Sequence, residues 1–243
     1  MGAGSAGGVV ASRLSEDPRL AVLLLEAGPD FAPGDIPDAI RHVRNGSGVF
    51  DYDWGYGDPT IGAALPRGKL VGGSSAVNAT VAMRGQPADY DHWAALGATG
   101  WDWEACLPYF IRLENDADFG AAPYHGTSGP IRVTRELPLL PAEAHFLAAC
   151  EELGHEQLDD INRPGGVGCG PVPRNLWNGE RQSTLLTYLA GARGRPNLDI
   201  RAGSPVQRVL LDEGRAIGVE LRSGDRIAAR RVVLAAGAYN SPF

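Results

Sequence analysis

The sequence contains few of the residues that disulfide frameworks and metal sites require. Its 243 residues include three cysteines, Cys106, Cys150 and Cys169, and five histidines. The cysteines are odd in number and far apart in sequence, so neither a disulfide framework nor a metal-ligand spacing is indicated. This pattern suits a reducing compartment, and nothing resembles a secretory leader, so we expect a cytoplasmic protein.

The sequence also lacks a strong positive charge and a long apolar run. Its 22 basic residues are outnumbered by 29 acidic ones, for a formal net charge of −7. Because the sequence has no basic stripe to attract nucleic acid or anionic lipid, neither is expected to bind. No apolar run approaches the length of a membrane span, so none is expected.

Glycine, by contrast, is abundant, and the first glycines follow a recognisable spacing. Gly2, Gly4 and Gly7 fit the pattern G-x-G-x-x-G, and residues 9–14 continue as a predicted helix. Such a loop turns sharply, approaches a pyrophosphate closely and directs a helix N-terminus toward it. A buried strand should precede this loop, and none is present, so we expect that the chain lacks its own beginning.

The next elements complete a dinucleotide-binding pattern. Residues 21–25 are continuously apolar, which predicts a buried parallel strand, and Glu26 follows that strand directly. An acidic residue in this position accepts hydrogen bonds from a ribose 2′-OH and repels a 2′-phosphate. The pattern therefore favours FAD or NAD over NADP.

The remaining segments suggest a mixed α/β chain. Residues 27–60 are predicted to be long loops with at most one short helix, at about residues 37–43. Strand-like runs at 206–211, 215–221 and 226–235 are separated by turn residues, which predicts a meander whose last run returns to the buried sheet. Further helices are predicted at 103–113 with Asp102 as cap, at 141–153, from Ser183 or Thr184 to about 190, and beginning at Asn240.

Three motifs resemble one family in order along the chain. The central segment GKLVGGSSAVNATVAMRGQPADYD, residues 68–91, closely resembles the first signature of the glucose–methanol–choline (GMC) oxidoreductases. The opening GAGSAGGVVASRLSEDPRLAVLLLEAGPD resembles the N-terminal FAD motif of that family, and the closing VVLAAGAYNSP resembles the start of its second signature. Together the three matches cover essentially the whole chain.

The resemblance implies a fold and a domain organisation. It implies an FAD-linked Rossmann-type parallel sheet with a β-meander, and an interleaved, incomplete α+β substrate domain. The flavin segments would be about 1–87 and 194–243, and the partial substrate-domain segments about 88–193. The implied FAD-contacting residues are Gly2, Gly4, Ser5, Ala6, Gly7, Glu26, Ala27, Gly68, Val71, Gly72, Gly73, Asn78, Ala79, Thr80, Val81, Val206, Ala236 and Gly237.

The resemblance also implies a chemistry: oxidation of an alcohol to a carbonyl with hydride transfer to FAD, and an electron acceptor such as oxygen or a quinone. Some members attach the flavin through a histidine where this chain has Val77, so non-covalent FAD is expected. The family's catalytic histidine lies beyond the second signature, so no catalytic residue is expected in this chain. The segment Pro123-Tyr124-His125-Gly126 resembles a family loop near the active-site entrance.

Two alternatives remain open at this point. A non-catalytic nucleotide-binding remnant of a truncated or split gene would also carry these motifs. An NAD-dependent dehydrogenase would explain the glycine loop at residues 2–7, but not the segment 68–81 or the final apolar run.

Overall fold

The computed structural model describes residues 1–43 and 50–242, which form two compact units. One unit consists of Met1–Ala79 with Arg181–Phe243, and the other consists of Thr80–Glu180. The assignment of about 88–193 to a substrate domain stays a prediction. Within the described ranges, none of the helices combines the length and the apolar character needed to cross a membrane.

The regular elements are short. The α-helices are α1 (Ser5–Leu14), α2 (Asp38–Arg41), α3 (Pro87–Ala95), α4 (Trp103–Leu113), α5 (Pro141–Glu152), α6 (Tyr188–Ala192) and α7 (Gly237–Asn240). The strands are β1 (Val22–Leu25), β2 (Gly57–Asp58), β3 (Ala63–Ala64), β4 (Glu114–Asp116), β5 (Ile131–Arg135), β6 (Pro173–Arg174), β7 (Leu176–Trp177), β8 (Glu180–Arg181), β9 (Leu198–Arg201), β10 (Val206–Asp212), β11 (Arg215–Leu221) and β12 (Arg226–Ala228). Single 3₁₀ turns occupy Phe50–Tyr52 and Gly73–Ala76.

A parallel pair of strands forms the centre of the first unit. β1 pairs with β9 in register from Val22 with Leu198 to Leu25 with Arg201. Leu24 and Leu25 are buried, as the apolar run predicted, and α1 continues from the glycine loop. The predicted strand and helix are confirmed, although the helix begins four residues earlier than the pattern indicated. The core around them also includes Ala3, Ala11, Ile40, Leu70, Val71, Ala76, Leu185, Leu189, Ala192 and Leu198.

The predicted meander of three strands is confirmed, although its third strand is shorter than expected. β10, β11 and β12 pair antiparallel in sequence order. Glu213 and Gly214 join β10 to β11 with φ values of 45° and 79°. Two successive positive φ angles are typical of the type I′ turn, whose twist matches that of the flanking strands.

The predicted return of the last apolar run to the sheet as a strand is wrong. β12 ends at Ala228, and residues 231–235 have no strand assignment. Val233 and Leu234 are 45% and 47% exposed, and this run hydrogen-bonds to Met1 through the Val233 carbonyl and the Ala235 amide. A continuous apolar run indicates burial but does not specify its pairing partner, which is a non-local property.

Two predicted helix starts are also wrong. α6 begins at Tyr188, because Ser183 Oγ accepts from the Leu186 amide in a preceding turn and Thr184 Oγ1 contacts Ser75 Oγ, 109 residues away. α7 begins at Gly237 and ends at Asn240, where a helix was expected to start. The predicted short helix near residues 37–43 is present as α2, whereas residues 44–49 of the predicted loop lie outside the described ranges.

The second unit contains the helix whose cap the sequence predicted correctly. α4 follows Asp102, whose carboxylate accepts a hydrogen bond from the Ala105 amide at 2.9 Å. β4 pairs parallel with β5, and β5 pairs antiparallel with β6. α5 covers the predicted helix of residues 141–153 except for its last residue.

Candidate functional site

The glycine loop lies at the carboxyl end of β1, and its three glycines are required for different reasons. The Gly2 amide donates to the Leu25 carbonyl at 2.8 Å, and Gly2 has a φ of +88°. A Cβ on Gly2 would lie 2.3 Å from the Ala235 carbonyl oxygen, and a Cβ on Gly7 would lie 1.8 Å from the Gly2 carbonyl oxygen. Neither position has room for a side chain within the protein itself.

Gly4 differs from the other two. A Cβ on Gly4 would meet only the Gly73 Cα, at 3.6 Å, which is an ordinary van der Waals contact. Its φ of −76° is one that every L-residue adopts. The fold therefore does not require glycine at this position, whereas a pyrophosphate lying against the loop would.

Gly4 is also the N-cap of α1. It has no side chain to cap the helix, and the first turn, with Ser5 and Ala6 exposed, carries no acidic residue. The first amides of a helix have no partner within it, and the helix dipole adds a partial positive charge there. This end of α1 is therefore suited to bind an anionic group.

Glu26 follows β1 and connects the loop to the next turn. Its carboxylate accepts hydrogen bonds from the amides of Ala3 and Gly28, each at 2.9 Å, and the residue is buried. One lone pair on each oxygen remains for a further donor. The structure thus gives Glu26 a role that sequence reasoning missed, which is to hold the glycine loop against the turn that begins at Ala27.

The second glycine-rich segment packs directly on the loop. The Gly72 amide donates to the Ala3 carbonyl at 2.8 Å. Gly73 has a φ of +50°, and a Cβ on it would lie 2.6 Å from the Gly4 Cα. A Cβ on Gly68 would lie 2.4 Å from the Gly73 carbonyl oxygen, so the backbone here is folded closely on itself. The Val71 amide donates to the Pro29 carbonyl, and the Val71 side chain is buried.

The C-terminal segments of the first unit approach the glycine loop as well. A Cβ on Gly2 would lie 3.1 Å from the Ala236 Cα, and Gly237 follows with a φ of +82°. The Ser204 amide donates to the Glu26 carbonyl at 2.7 Å, two residues before Val206 opens β10. The predicted residues from 2–7, 26–27, 68–73, 206 and 236–237 therefore surround the carboxyl end of β1.

A cleft of about 490 Å³ opens beside this end of the strand. It lies next to the turn that follows Glu26. Its lining residues are Ala27, Gly28, Pro29, Asp51, Tyr52, Asp53, Lys69 and Gly203. The Lys69 ammonium lies 5.0 Å from the centroid of the Trp54 ring, a cation–π contact that fixes where this charge points.

The segment 78–81 passes from one unit to the other. In the first unit, the Asn78 carbonyl accepts hydrogen bonds from the Arg181 guanidinium, and Ala79 is the last residue before the boundary. Thr80 and Val81 belong to the second unit, where Thr80 is fully buried with a φ of 63° and Val81 is 52% exposed.

Arg181 is a buried structural residue whose importance the sequence did not reveal. It is 1% exposed and also donates to the carbonyls of Ala39 and Ile40. Burial lowers the pKa of Arg181. Its contacts lie more than a hundred residues away in sequence, so no local pattern could have indicated them.

A buried ionic cluster in the second unit surrounds His125. Its Nδ1 lies 2.6 Å from Glu114 Oε1, and its Nε2 lies 2.9 Å from Asp160 Oδ2. Burial alone would lower the pKa of His125, but the hydrogen bonds to Asp160 and Glu114 outweigh burial and raise the pKa to about 9. His125 therefore holds its proton at neutral pH and has no ring nitrogen free to act as a base.

Two arginines complete this cluster. Arg84 forms an ion pair with Glu114, and Arg135 bridges Asp116 and Asp160. Candidate metal-ligating atoms of Glu114, Asp116 and His125 lie within 4.8 Å of one another. Because the carboxylates already face two guanidiniums and a protonated imidazole, the arrangement is that of an ion-pair network. Arg84 is committed to this network through its ion pair with Glu114.

Comparisons with known proteins match the whole chain. The GMC oxidoreductase family model matches residues 2–243. An oxygen-dependent choline dehydrogenase of Brucella anthropi is 40% identical over 254 residues, which cover 100% of this chain and 45% of that protein. The chain thus spans about half the length of the curated relatives it matches.

Solved structures show the same fold. Pyridoxine 4-oxidase from Mesorbium loti superposes with a TM-score of 0.84 at 33% identity, over 99% of this chain and 49% of that one. An FAD-dependent oxidoreductase from Chaetomium thermophilum gives a TM-score of 0.81 at 29% identity, over 94% of this chain and 43% of that one. The predicted fold class is confirmed, and the FAD-dependent neighbour supports FAD as the cofactor.

Proposed function

Because this chain belongs to the GMC oxidoreductase family, we propose that it forms the FAD-binding part of an enzyme that oxidises an alcohol to a carbonyl. FAD would bind non-covalently, since Val77 stands where a linking histidine would have to be. When bound, the flavin supplies the acceptor for a hydride from the alcohol carbon.

The observation that carries this proposal is the difference among the three glycines. Gly2 and Gly7 have no room for a Cβ because other backbone atoms of the protein occupy the space. Gly4 has room for one, so its lack of a side chain is explained by a ligand rather than by the fold. The exposed first turn of α1 beside it suits a pyrophosphate.

The residues around the loop fit the rest of a dinucleotide. Gly2, Gly4, Ser5, Ala6 and Gly7 would hold the pyrophosphate through backbone amides. Glu26 and Ala27 would face the adenosine ribose, next to the cleft that Ala27 lines, and Val206 would contact the adenine through its backbone. Gly68, Val71, Gly72, Gly73, Asn78, Ala79, Thr80 and Val81 would run along the ribityl chain and the flavin ring, and Ala236 and Gly237 would approach from the other side.

This chain's own contribution to the reaction is to bind and orient. The backbone amides at the start of α1 fix the anionic part of the cofactor, and the Glu26 carboxylate accepts from hydroxyl groups while it holds Ala3 and Gly28. We assign no catalytic base to the described residues. His125 does not suit this role, because both its ring nitrogens are already hydrogen-bonded.

The substrate would be a small primary or secondary alcohol, and the electron acceptor oxygen, a quinone or another small oxidant. The net charge of −7 argues against nucleic acid as a partner. The same composition and the scattered cysteines favour a cytoplasmic enzyme.

Anaerobic flavin reduction tests this proposal. The purified enzyme that contains this chain should be yellow, and a primary or secondary alcohol from a panel should bleach its flavin absorbance, with the matching alkane as a control. This chain alone should bind FAD but should not be reduced by the alcohol. Bound nucleotide released by heat should be identified as FAD by mass spectrometry. Release of NAD in place of FAD would contradict the cofactor assignment. A flavin that stays oxidised with every alcohol of the panel would contradict the proposed reaction.

A further inference from the structure

The backbone of Thr80 adopts a conformation that its side chain disfavours. Its φ is 63°, in the left-handed region, where a β-branched residue is sterically crowded. Two other non-glycine residues among those described have a positive φ, Asn178 and Glu213. Each of these is exposed and precedes a glycine in a turn between two strands, whereas Thr80 is fully buried. Such a conformation persists only where the surrounding structure enforces it.

Backbone hydrogen bonds hold the residues around Thr80 against β6. The Thr80 carbonyl accepts from the Asn175 amide, and the Ala82 amide donates to the Pro173 carbonyl, each at 2.8 Å. An isolated antiparallel bridge lies between these two bonds. The segment that begins at Thr80 therefore forms a short strand pair with β6.

One buried side chain fixes the next part of this segment. The carboxamide of Asn162, which is 3% exposed, donates through Nδ2 to the Ala82 carbonyl at 3.1 Å and accepts through Oδ1 from the Arg84 amide at 2.9 Å. A carboxamide can make both bonds because it carries a donor and an acceptor side by side, as a peptide group does. Asn162 thus takes the place of a neighbouring strand for residues 82–84.

Asn162 is itself held in place. Its amide donates to Asp160 Oδ1 at 3.0 Å, and the same carboxylate binds His125 and Arg135 in the buried ionic cluster. The Arg84 guanidinium is anchored in this cluster as well, through its ion pair. The segment that follows Thr80 is therefore attached to one buried network both by its backbone and by a side chain.

We propose that Asn162 is a positioning residue for the flavin, because it fixes residues 82–84 and thereby keeps the backbone of Thr80 in its unfavourable conformation. This role rests on the proposed function, in which residues 78–81 run along the flavin ring. The φ of Thr80 sets the direction of the peptide groups on either side of it, and hydrogen bonds next to the ring tune how easily a flavin is reduced. Without Asn162, the segment relaxes toward an unstrained φ and these peptide groups turn.

The midpoint potential of bound FAD tests this role in the enzyme that contains this chain. Asn162→Ala should change the ratio of the affinities for oxidised and reduced flavin by at least about tenfold, which is a shift of about 30 mV for a two-electron couple. The visible circular dichroism of the flavin should change as well, because the surroundings of the ring change.

Asn197→Ala is the matched control. The carboxamide of Asn197 also donates to backbone carbonyls, those of Ser15, Asp17 and Leu20, and these residues lie outside the proposed flavin contacts. The control variant should lose stability without a change in the midpoint potential.

Hydrogen exchange of the apoprotein tests the same role without the cofactor. In Asn162→Ala, the Arg84 amide loses its acceptor, so the peptide that covers residues 80–84 should exchange at least about tenfold faster than in wild type. Its exchange should be unchanged in Asn197→Ala. Asn162→Ser carries both measurements if the alanine variant does not fold, since its shorter side chain cannot span Ala82 and Arg84 and should shift both readouts in the same direction.

Three results would overturn this role while leaving the proposed function intact. The first is FAD bound by wild type and Asn162→Ala at the same midpoint potential. The second is equal hydrogen exchange of residues 80–84 in these two proteins. The third is an equal shift of the potential in Asn197→Ala, because a general loss of stability would then account for it. A wild-type enzyme that binds no FAD would overturn the proposed function together with this role.

Discussion

The Ala3 amide donates a hydrogen bond of 2.9 Å to the Glu26 carboxylate, which links the glycine loop to the residue that follows β1. The other oxygen of the same carboxylate accepts from the Gly28 amide. Sequence reasoning gave Glu26 one role, toward the ribose of a nucleotide. The structure adds a second role, because Glu26 organises the loop before any ligand binds.

Glu26→Ala should therefore affect both the ligand and the fold. We expect FAD affinity to weaken by about 1–3 kcal/mol through loss of charge-assisted hydrogen bonds. The free energy of unfolding of the apoprotein should fall by a similar amount, about 1–3 kcal/mol, because two amides lose their acceptor. Flavin fluorescence titration and urea unfolding measure the two effects separately. Unchanged apoprotein stability would contradict the structural role and leave only the ligand contact.

Val77 indicates that the flavin is bound non-covalently. It packs against the core of the first unit and has no nucleophilic nitrogen. Acid precipitation of the yellow protein should release all flavin into the supernatant. Flavin that stays with the washed, denatured pellet would show a covalent bond at another residue.

The His125 cluster predicts a pH dependence of stability. The pKa of His125 is raised in the folded protein to about 9 from an ordinary value of 6.5. The contribution of protonated His125 to the free energy of unfolding is therefore fully present below about pH 6.5, and it is lost as the pH rises through 9. The stability advantage of wild type over His125→Gln should shrink across this range, by on the order of 3 kcal/mol.

Urea unfolding at several pH values measures this advantage. His145→Gln is the matched control, since His145 is an exposed residue of α5 and its replacement should leave the pH profile unchanged. An advantage for wild type that stays constant from pH 6 to pH 10 would show that His125 is not protonated in the folded protein.

Arg181 predicts a large loss of stability from one substitution. Its guanidinium satisfies the carbonyls of Ala39, Ile40 and Asn78 inside the protein. Arg181→Met should lower the free energy of unfolding by about 2–4 kcal/mol, because buried acceptors lose their donors. Arg19→Met is the control, since Arg19 is exposed and pairs with nearby Asp17, and its effect on the free energy of unfolding should be much smaller. Equal losses for the two variants would contradict the role given to Arg181.

Local signals account for the parts of the fold that the sequence predicted. The apolar run of β1, the Asp102 cap of α4 and the Glu213-Gly214 turn are each specified by a few adjacent residues. The spacing of Gly2, Gly4 and Gly7 likewise located the candidate site, because this motif encodes both the close backbone packing at Gly2 and Gly7 and the open position at Gly4.

Non-local contacts account for what the sequence could not show. Thr184 was expected to cap a helix, but its amide donates to Ser75 Oγ, 109 residues away. The partners of Arg181 and of His125 are equally distant or lie in other elements, and no periodicity encodes them. The last apolar run failed as a predicted strand because its pairing depends on neighbours that its own residues do not specify.

The central claim, that Gly4 lacks a side chain because a pyrophosphate lies against it, is tested most directly by FAD binding to Gly4→Ala. The protein leaves room for that methyl group, with its nearest contact at 3.6 Å. We therefore predict an apoprotein melting temperature within about 3 °C of wild type, and FAD affinity lower by at least about tenfold, or ~1.4 kcal/mol. Gly7→Ala should instead disrupt the fold, because its Cβ would lie 1.8 Å from the Gly2 carbonyl oxygen. A folded Gly4→Ala protein that binds FAD as tightly as wild type would contradict the account.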